Sequence, residues 1–461
     1  MKKSIYFYIF LSCCLSFLYP SCSPKTTPPP DIGSYVNHKV KPGESMISIA
    51  RKYKTEVEEI RKFNPHIAGE VRSGMTIRIP VVSTPSPPRE EESTEAPDIV
   101  TGVDTFKIAC LLPFNMESAE VFNEDNSQVM LESNSKIILE FYEGMLLAID
   151  SLKKEGLIAR LYVHDTKNSN SQVSSILAKP EMKQMDVIIG PAFSTNITAV
   201  AEFAEQNKIK FVSPLSSTPY VAKDFQRSFQ IIPSVNSQIS IVSDYLSSKY
   251  GGQNFVLINP PRTKERELAN MFRDALGNGN GSVVLSTVNY PEQGEEVLIS
   301  KLKKSLTNIL IIPSSDEAYV SNLISQLYMM EDEFDIMLFG LPTWEKFETL
   351  DFNKLQDYKV HYFSTTALND ANPLVNTVKS YYMKQYKSEP SIAVYQGYDT
   401  MYLIGKSLMK HGRNFFSSLD QVNYTPAVNS FRFVKAGNNG GIENQSVTIL
   451  TYENFQLVRK Q

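Results

Sequence analysis

Residues 186–219 read DVIIGPAFSTNITAVAEFAEQNKIKFVSPLSSTP. A β-branched run, Val187 to Ile189, ends on Gly190-Pro191. An amphipathic helical stretch follows, ITAVAEFAEQN, and then a second apolar run, IKFVSP, that again stops at a proline. Strands that read as continuous apolar runs, joined through a helix, belong in a parallel sheet covered on both faces.

The same unit recurs outward in both directions. Apolar runs appear at KIACLLP, ARLYVHD, NFVLINP, SVVLSTV, NILIIP and DIMLFG. Helical stretches such as IILEFYEGMLLAIDSLKKE, QISIVSDYLSSKY, ERELANMFRDAL, EVLISKLKKSL and AYVSNLISQLYMME separate most of them. The spacing fills two doubly wound α/β lobes rather than one. The tail, residues 431–460, alternates apolar and polar residues around a Gly/Asn-rich turn, and predicts an antiparallel hairpin added to the second lobe. The expected division is a first lobe over about 105–231 and 366–412, and a second over about 232–365 and 413–461.

The chain of 461 residues is 42% hydrophobic, 11% aromatic and 21% charged, with a formal net charge of −4. That balance gives no electrostatic footprint for nucleic acid. The histidines, His38, His66, His164, His361 and His411, lie far apart, and none joins Cys, Asp or Glu at metal-ligand spacing. No metal and no cofactor is expected.

At the N-terminus Lys2 and Lys3 precede an apolar run from Ile5 to Tyr19, then YPSCSPKTTPPPD. This is a signal segment over residues 1–22, followed by a linker over 23–34. Ser21-Cys22 resembles the cleavage point of a bacterial lipoprotein signal, with Cys22 as the lipidated residue, although Tyr19 and Pro20 depart from the usual pattern; ordinary secretory cleavage is the alternative. Cys13, Cys14 and Cys22 fall in this segment, so Cys110 alone remains in the body and no internal disulfide is expected. A second Pro/Ser/Glu-rich linker, residues 81–104, isolates a small module at 35–80.

That module reads YVNHKVKPGESMISIARKYKTEVEEIRKFNPHIAGEVRSGMTIRIP. Short strands flank two helical patterns, and Pro42-Gly43 turns the chain into the first helix. The Pro-Gly turn, the Ile49-Ala50 pair, Asn64-Pro65 and the closing Gly-x-x-Ile-x-Ile-Pro together resemble a LysM domain along its whole length. The resemblance implies a βααβ unit that binds N-acetylglucosamine-containing glycans such as peptidoglycan. It places the groove at Gly43, Glu44, Ser45 and Met46 on one side and at Asn64, Pro65, His66 and Ile67 on the other. Gly43 and Asn64 read equally as turn and cap residues.

In the large body, FKIACLLPF, FYEGMLLAID, the stretch at 186–219, FQIIPSVNSQ and VYQGYDTMYLIGKSL are similar, in order and spacing, to the type I periplasmic-binding-protein fold of the branched-chain amino-acid-binding family. The similarity covers roughly residues 105–415. It implies two lobes closing on a small solute, with a ligand carboxylate held by Ser194 and by Ser216, Ser217 and Thr218. A hydroxyl at a helix start suits an anion, and Ser194 serves equally as the helix N-cap. The single tryptophan, Trp344, and Glu345 are candidates for the opposite wall, and Trp344 reads also as a buried core residue.

That opposite wall departs from the family. In FGLPTWEKF the position of the carboxylate that takes a ligand ammonium is Pro342 or Thr343, with Glu345 shifted, and Asn236 stands where an Asp is common. A buried ammonium without a counter-charge is strongly penalised. The loop at 114–135 is long and acidic. Tyr395 and Tyr398 read as packing at a helix start. No nucleophile elbow, zinc-protease motif or phosphate loop is present, and GNGNGS at 277–282 follows a helix instead of preceding one.

The expectation is a non-enzymatic periplasmic lipoprotein, anchored to the outer membrane and to peptidoglycan, whose body binds an envelope protein partner or regulates wall synthesis. The alternative is a solute-binding receptor for an amino acid or small peptide.

Overall fold

The computed structural model describes residues 35–80 and 105–460, apart from 41–45, 54, 56, 66, 68–70, 119, 123–127, 131–132, 194–195, 220, 278–282, 330–332, 422–423, 429, 439 and 455. The chain divides into two compact units, the first ending at Ser93.

In the small unit β1 (Tyr35–Lys39) and β2 (Thr76–Pro80) pair antiparallel, Val36 opposite Ile79. Helices α1 (Met46–Lys52) and α2 (Val57–Phe63) complete a βααβ unit. Ile49, Ala50, Ile60, Ile77 and Ile79 form its core, with Tyr53 and Val57 packed against it. Asn64 staples the unit together. Its amide donates to the carbonyls of Ile60 at 2.7 Å and Arg78 at 2.6 Å, and its Oδ1 accepts from the Arg78 N–H at 2.8 Å.

The large unit holds two seven-stranded sheets. In lobe 1, β3 (Phe106–Leu112) has a hairpin β4 (Glu120–Phe122) and β5 (Gln128–Met130) and the long helix α3 (Ser133–Lys154) after it. Strand β6 (Ala159–Asp165), helix α4 (Asn170–Leu177), β7 (Val187–Ile189), α5 (Ile197–Gln206), β8 (Lys210–Ser213), α6 (Val221–Asp224) and β9 (Ser228–Gln230) then run in the expected alternation.

The chain crosses to lobe 2 at residues 231–234. There α7 (Val235–Tyr250), β10 (Asn254–Ile258), α8 (Thr263–Gly277), β11 (Val284–Val288), α9 (Tyr290–Lys301), β12 (Asn308–Ile311), α10 (Glu317–Tyr328), β13 (Ile336–Gly340), α11 (Phe352–Asp357) and β14 (His361–Ser364) form the second lobe. Helix α9 starts earlier than its apolar pattern suggests, and it kinks at Gly294, where φ is 72°.

The chain returns to lobe 1 through α12 (Pro373–Tyr386) and α13 (Ile392–His411). Helices α3 and α13 cross so closely that a Cβ on Gly144 would lie 1.9 Å from the Val394 carbonyl oxygen, and one on Gly397 1.8 Å from that of Phe141. Only glycine permits this approach.

The tail corrects two expectations. It forms two hairpins, one in each lobe. Strands β15 (Phe433–Lys435) and β16 (Ile442–Asn444) pair antiparallel, and β16 joins β9 of lobe 1 in parallel. Strands β17 (Thr448–Glu453) and β18 (Gln456–Arg459) extend lobe 2 from β14, antiparallel. The described residues of 413–444 therefore belong to lobe 1, where Phe415, Phe416, Leu419, Ala427 and Val428 are buried in the same core as α3 and α13. The physical reason is that Phe433 packs edge-on against Phe229 of β9, with centroids 4.7 Å apart.

The sheet orders are β15-β16-β9-β8-β7-β3-β6 and β11-β10-β12-β13-β14-β17-β18. Interior strands are buried on both faces, as in β10 and β13, while the edge strands β6 and β11 are half exposed. Among the described residues no helix is long and apolar enough to cross a membrane.

Candidate functional site

In each lobe the strand order reverses around the first strand, and the crevice beyond the strand ends at that point is where ligands of open α/β sheets bind. In lobe 1 the reversal lies between β3 and β7, so Gly190-Pro191 sits at the crevice. Gly190 has φ of 93°, and a Cβ there would lie 2.1 Å from the Leu111 carbonyl oxygen of β3. The chain can leave β7 this close to β3 only as glycine. Helix α5 then begins at Ile197 with Asn196, not Ser194, at its N-cap, and the Asn196 side chain makes no cap bond. Ser194 lies outside the described residues.

The loop after β8 is well ordered by its own polar groups. Ser216 Oγ and Thr218 Oγ1 are 2.7 Å apart, and Thr218 N–H donates to Ser216 Oγ at 3.2 Å. Beneath them the Gln230 amide donates to the carbonyls of Ser216 at 3.1 Å and Thr218 at 3.2 Å. The Ser217 carbonyl accepts from Val235 N–H at 3.0 Å, which ties this loop to the first helix of lobe 2. Along the same crest, Ser135, Thr166, Asn196, Ser213 and Gln230 are buried, and each keeps a side-chain oxygen with no hydrogen-bond partner among the described residues. The three hydroxyls can accept from or donate to a polar ligand group and the two amide oxygens can accept, but none carries a charge.

Lobe 2 is built the other way. Its reversal lies between β10 and β12, and side chains of the two following loops bond to one another there. Glu265, in the first turn of α8, accepts from Ser314 Oγ and from Ser315 N–H, both at 2.8 Å. Arg262 pairs with Asp316 at 2.7 Å, and Asp316 caps α10 through Tyr319 N–H. Thr343 Oγ1 donates to Ser315 Oγ at 3.1 Å.

Trp344 lies inside this lobe, 2% exposed, with its indole N–H donating to the Ser314 carbonyl at 2.8 Å. Its ring covers Gly340, where a Cβ would come within 2.4 Å of the indole. The side chain is thus a core residue and not a surface facing a ligand. Glu345 is exposed, close enough to Tyr362 and Tyr452 to raise the pKa of both hydroxyls, behind the larger effect of burial. The structure brings Ser216, Ser217 and Thr218 together and leaves Trp344 and Glu345 apart from them, in the other lobe.

Tyr395 and Tyr398 are packing residues, both buried in the lobe 1 core. Cys110 is fully buried in β3, and burial pushes its thiol pKa well up. Such a thiol is a poor nucleophile. Among the described residues no three His, Cys, Asp or Glu side chains gather as a metal site.

In the small unit, Met46 and Ile67 are buried in one core cluster, and Pro65 is exposed. Asn64 spends its side chain on the staple described above. Gly43, Glu44, Ser45 and His66 lie outside the described residues, as does Cys22. Sequence reasoning missed Glu265, Arg262 and Gln230. An acid in the first turn of a helix was the one available signal for Glu265.

A family model described as the receptor family ligand binding region matches residues 141–446, and a LysM domain model matches residues 38–80. Among solved structures, a putative branched-chain amino acid ABC transporter protein from Rhodospirillum rubrum is 15% identical, with a TM-score of 0.60, covering 77% of this chain and 100% of that one. An ABC transporter substrate-binding protein from Desulfitobacterium hafniense, in complex with Leu, is 16% identical with a TM-score of 0.51 over 77% and 100%. A branched-chain amino acid periplasmic ligand-binding protein from Burkholderia xenovorans LB400 is 14% identical with a TM-score of 0.52 over 77% and 94%. These likenesses show a shared two-lobed fold. No curated protein matches the chain.

Proposed function

We propose, from the premise that this chain belongs to the family of receptor ligand-binding regions and carries a LysM domain ahead of it, that it is a non-enzymatic protein of the bacterial envelope. The LysM unit holds it to N-acetylglucosamine-containing wall glycan, and the two-lobed body binds an envelope partner or regulates wall synthesis. The Lys2-Lys3 segment and Ser21-Cys22 support export and a lipid anchor at Cys22, which would place the body in the periplasm at the outer membrane.

One observation carries the choice of partner binding over amino-acid capture. At the lobe 2 strand ends Ser314 and Ser315 engage both Glu265 oxygens and Arg262 pairs with Asp316, so among the described residues neither of these two carboxylates is left for a ligand ammonium. The second reading is a solute receptor for an amino acid or small peptide, and the unpartnered oxygens on the lobe 1 crest favour it.

Thermal unfolding with saturating L-leucine or L-isoleucine separates the two. Partner binding predicts an unchanged midpoint; a rise that Thr218→Val abolishes would replace it with the solute reading.

A further inference from the structure

We propose that the groove between α7 of lobe 2 and Arg432 of lobe 1 is a second binding site, for a small dicarboxylate that also carries an ammonium group. The groove has a volume of about 420 Å3, within the size range of small-molecule sites. Its lobe 2 wall is the face of α7 that carries Ile241, Asp244, Tyr245, Ser248 and Lys249. Its lobe 1 wall is Arg432, which directly precedes β15.

Both cations are held in place by neutral groups. The Lys249 ammonium donates to Tyr245 Oη at 2.8 Å and lies 5.2 and 5.5 Å from the ring centroids of Tyr245 and Tyr250. Arg432 Nη2 donates to the Gln445 carbonyl at 2.8 Å, and its backbone N–H to Asn444 Oδ1 at 2.9 Å. Among the described residues neither cation has a carboxylate within 4.0 Å, and Asp244 has no cation within that distance.

Direct pairing at such exposed positions contributes little, whereas cations already oriented lose less freedom when an anion arrives. Two cations against one acid leave the groove with a positive excess. A matching ligand therefore presents one carboxylate to Arg432 and one to Lys249, with charge-assisted hydrogen bonds, and its ammonium to Asp244. Ile241 and the Tyr245 ring supply an apolar strip for its carbon chain.

Because each lobe provides one wall, a bound ligand favours whichever lobe angle brings the walls to bonding distance. The wall also adjoins the crossovers. Asn444, which holds the Arg432 backbone, donates through Nδ2 to the Ile231 carbonyl at 3.1 Å, and Glu443 beside it accepts from Ser234 N–H at 2.6 Å. Occupancy at Arg432 thus acts on the crossover at residues 231–234, and through it on the cleft.

Two sources share this ligand chemistry: free acidic amino acids, and wall stem peptides containing glutamate or a diamino diacid. Only the second rests on the peptidoglycan reading.

Calorimetric titration of the full chain with L-glutamate, and separately with the tripeptide L-Ala-γ-D-Glu-diaminopimelate, tests the site. At least one is expected to bind, and Arg432→Gln and Asp244→Asn each to weaken it by about tenfold or more. Arg432→Lys, with unchanged circular dichroism, is expected to retain part of the affinity. Scattering should show a shift in radius of gyration on binding that Arg432→Gln removes. The proposal is overturned if neither ligand binds, if binding survives both variants, or if Thr218→Val abolishes it instead. Since leucine is outside this class, failure here leaves the leucine test of the cleft standing by itself.

Discussion

The indole N–H of Trp344 donates to the carbonyl of Ser314 across 2.8 Å, closing the turn after β13 onto the loop after β12. This bond ties the two loops together at the lobe 2 strand ends. It makes the one tryptophan of the chain part of the framework that keeps Glu265, Ser314 and Ser315 engaged with each other. Trp344→Phe leaves the buried Ser314 carbonyl without this donor, at a cost of about 1–3 kcal/mol. The thermal midpoint of the body should fall, with circular dichroism at 25 °C unchanged. An unaltered midpoint would mean that the indole is not a structural element of this wall.

The crossing of α3 and α13 makes a sharper demand. Gly397→Ala drives a methyl group into the Phe141 backbone carbonyl, 1.8 Å from its oxygen. Backbone in two long helices cannot yield locally, so destabilisation at or above the upper end of about 1–3 kcal/mol is expected. Gly74→Ala, in the small unit, meets no atom within 4 Å but has a φ of 90°. Its effect should come from backbone strain alone, about 1 kcal/mol. Urea midpoints of the two variants give the comparison.

Asp399 anchors the segment after α13. Its carboxylate accepts from Tyr424 Oη at 2.5 Å and from the N–H groups of Ala427 and Val428, each at 2.9 Å. It also holds the Tyr424 hydroxyl well above its ordinary pKa, second to burial itself. Asp399→Asn turns an acceptor pair into one acceptor and one donor facing N–H groups, and should cost about 2–3 kcal/mol. Limited proteolysis should then cut within 424–428 first.

His361 gives the body an acid-sensitive point. Burial lowers its pKa from 6.5 to about 4, so the folded ring is neutral at pH 7. In that tautomer Nδ1–H donates to the Lys359 carbonyl at 2.5 Å and Tyr250 Oη donates to Nε2 at 3.4 Å. Between pH 6.5 and 4 the unfolded chain binds the extra proton and the folded one does not, so stability is full above about 6.5 and falls as pH drops towards 4. The loss is at most about 3 kcal/mol. His361→Gln should flatten the difference between urea midpoints at pH 7 and pH 5.

Much of this fold is legible in the sequence because its interior strands are unbroken apolar runs. Strands β9 and β14 are not legible as apolar runs, since Ser228, Gln230, His361 and Ser364 interrupt their pattern although all four are buried. The tail was legible as hairpin chemistry, but not its partition between lobes, which long-range packing of Phe433 on Phe229 decides. At the site, the hydroxyls of Ser216 and Thr218 could be read from the strand end. The closure of lobe 2 could not, because Glu265 meets Ser314 and Ser315 across about fifty residues and no local spacing reports it.

The central claim is that the LysM unit ties this body to the cell wall. Co-sedimentation with purified peptidoglycan, comparing the full chain with a chain lacking residues 35–80, tests it most directly. The account predicts that the full chain sediments with the wall and is released by soluble N-acetylglucosamine oligomers, while the shortened chain stays in solution. Equal sedimentation of the two would contradict it.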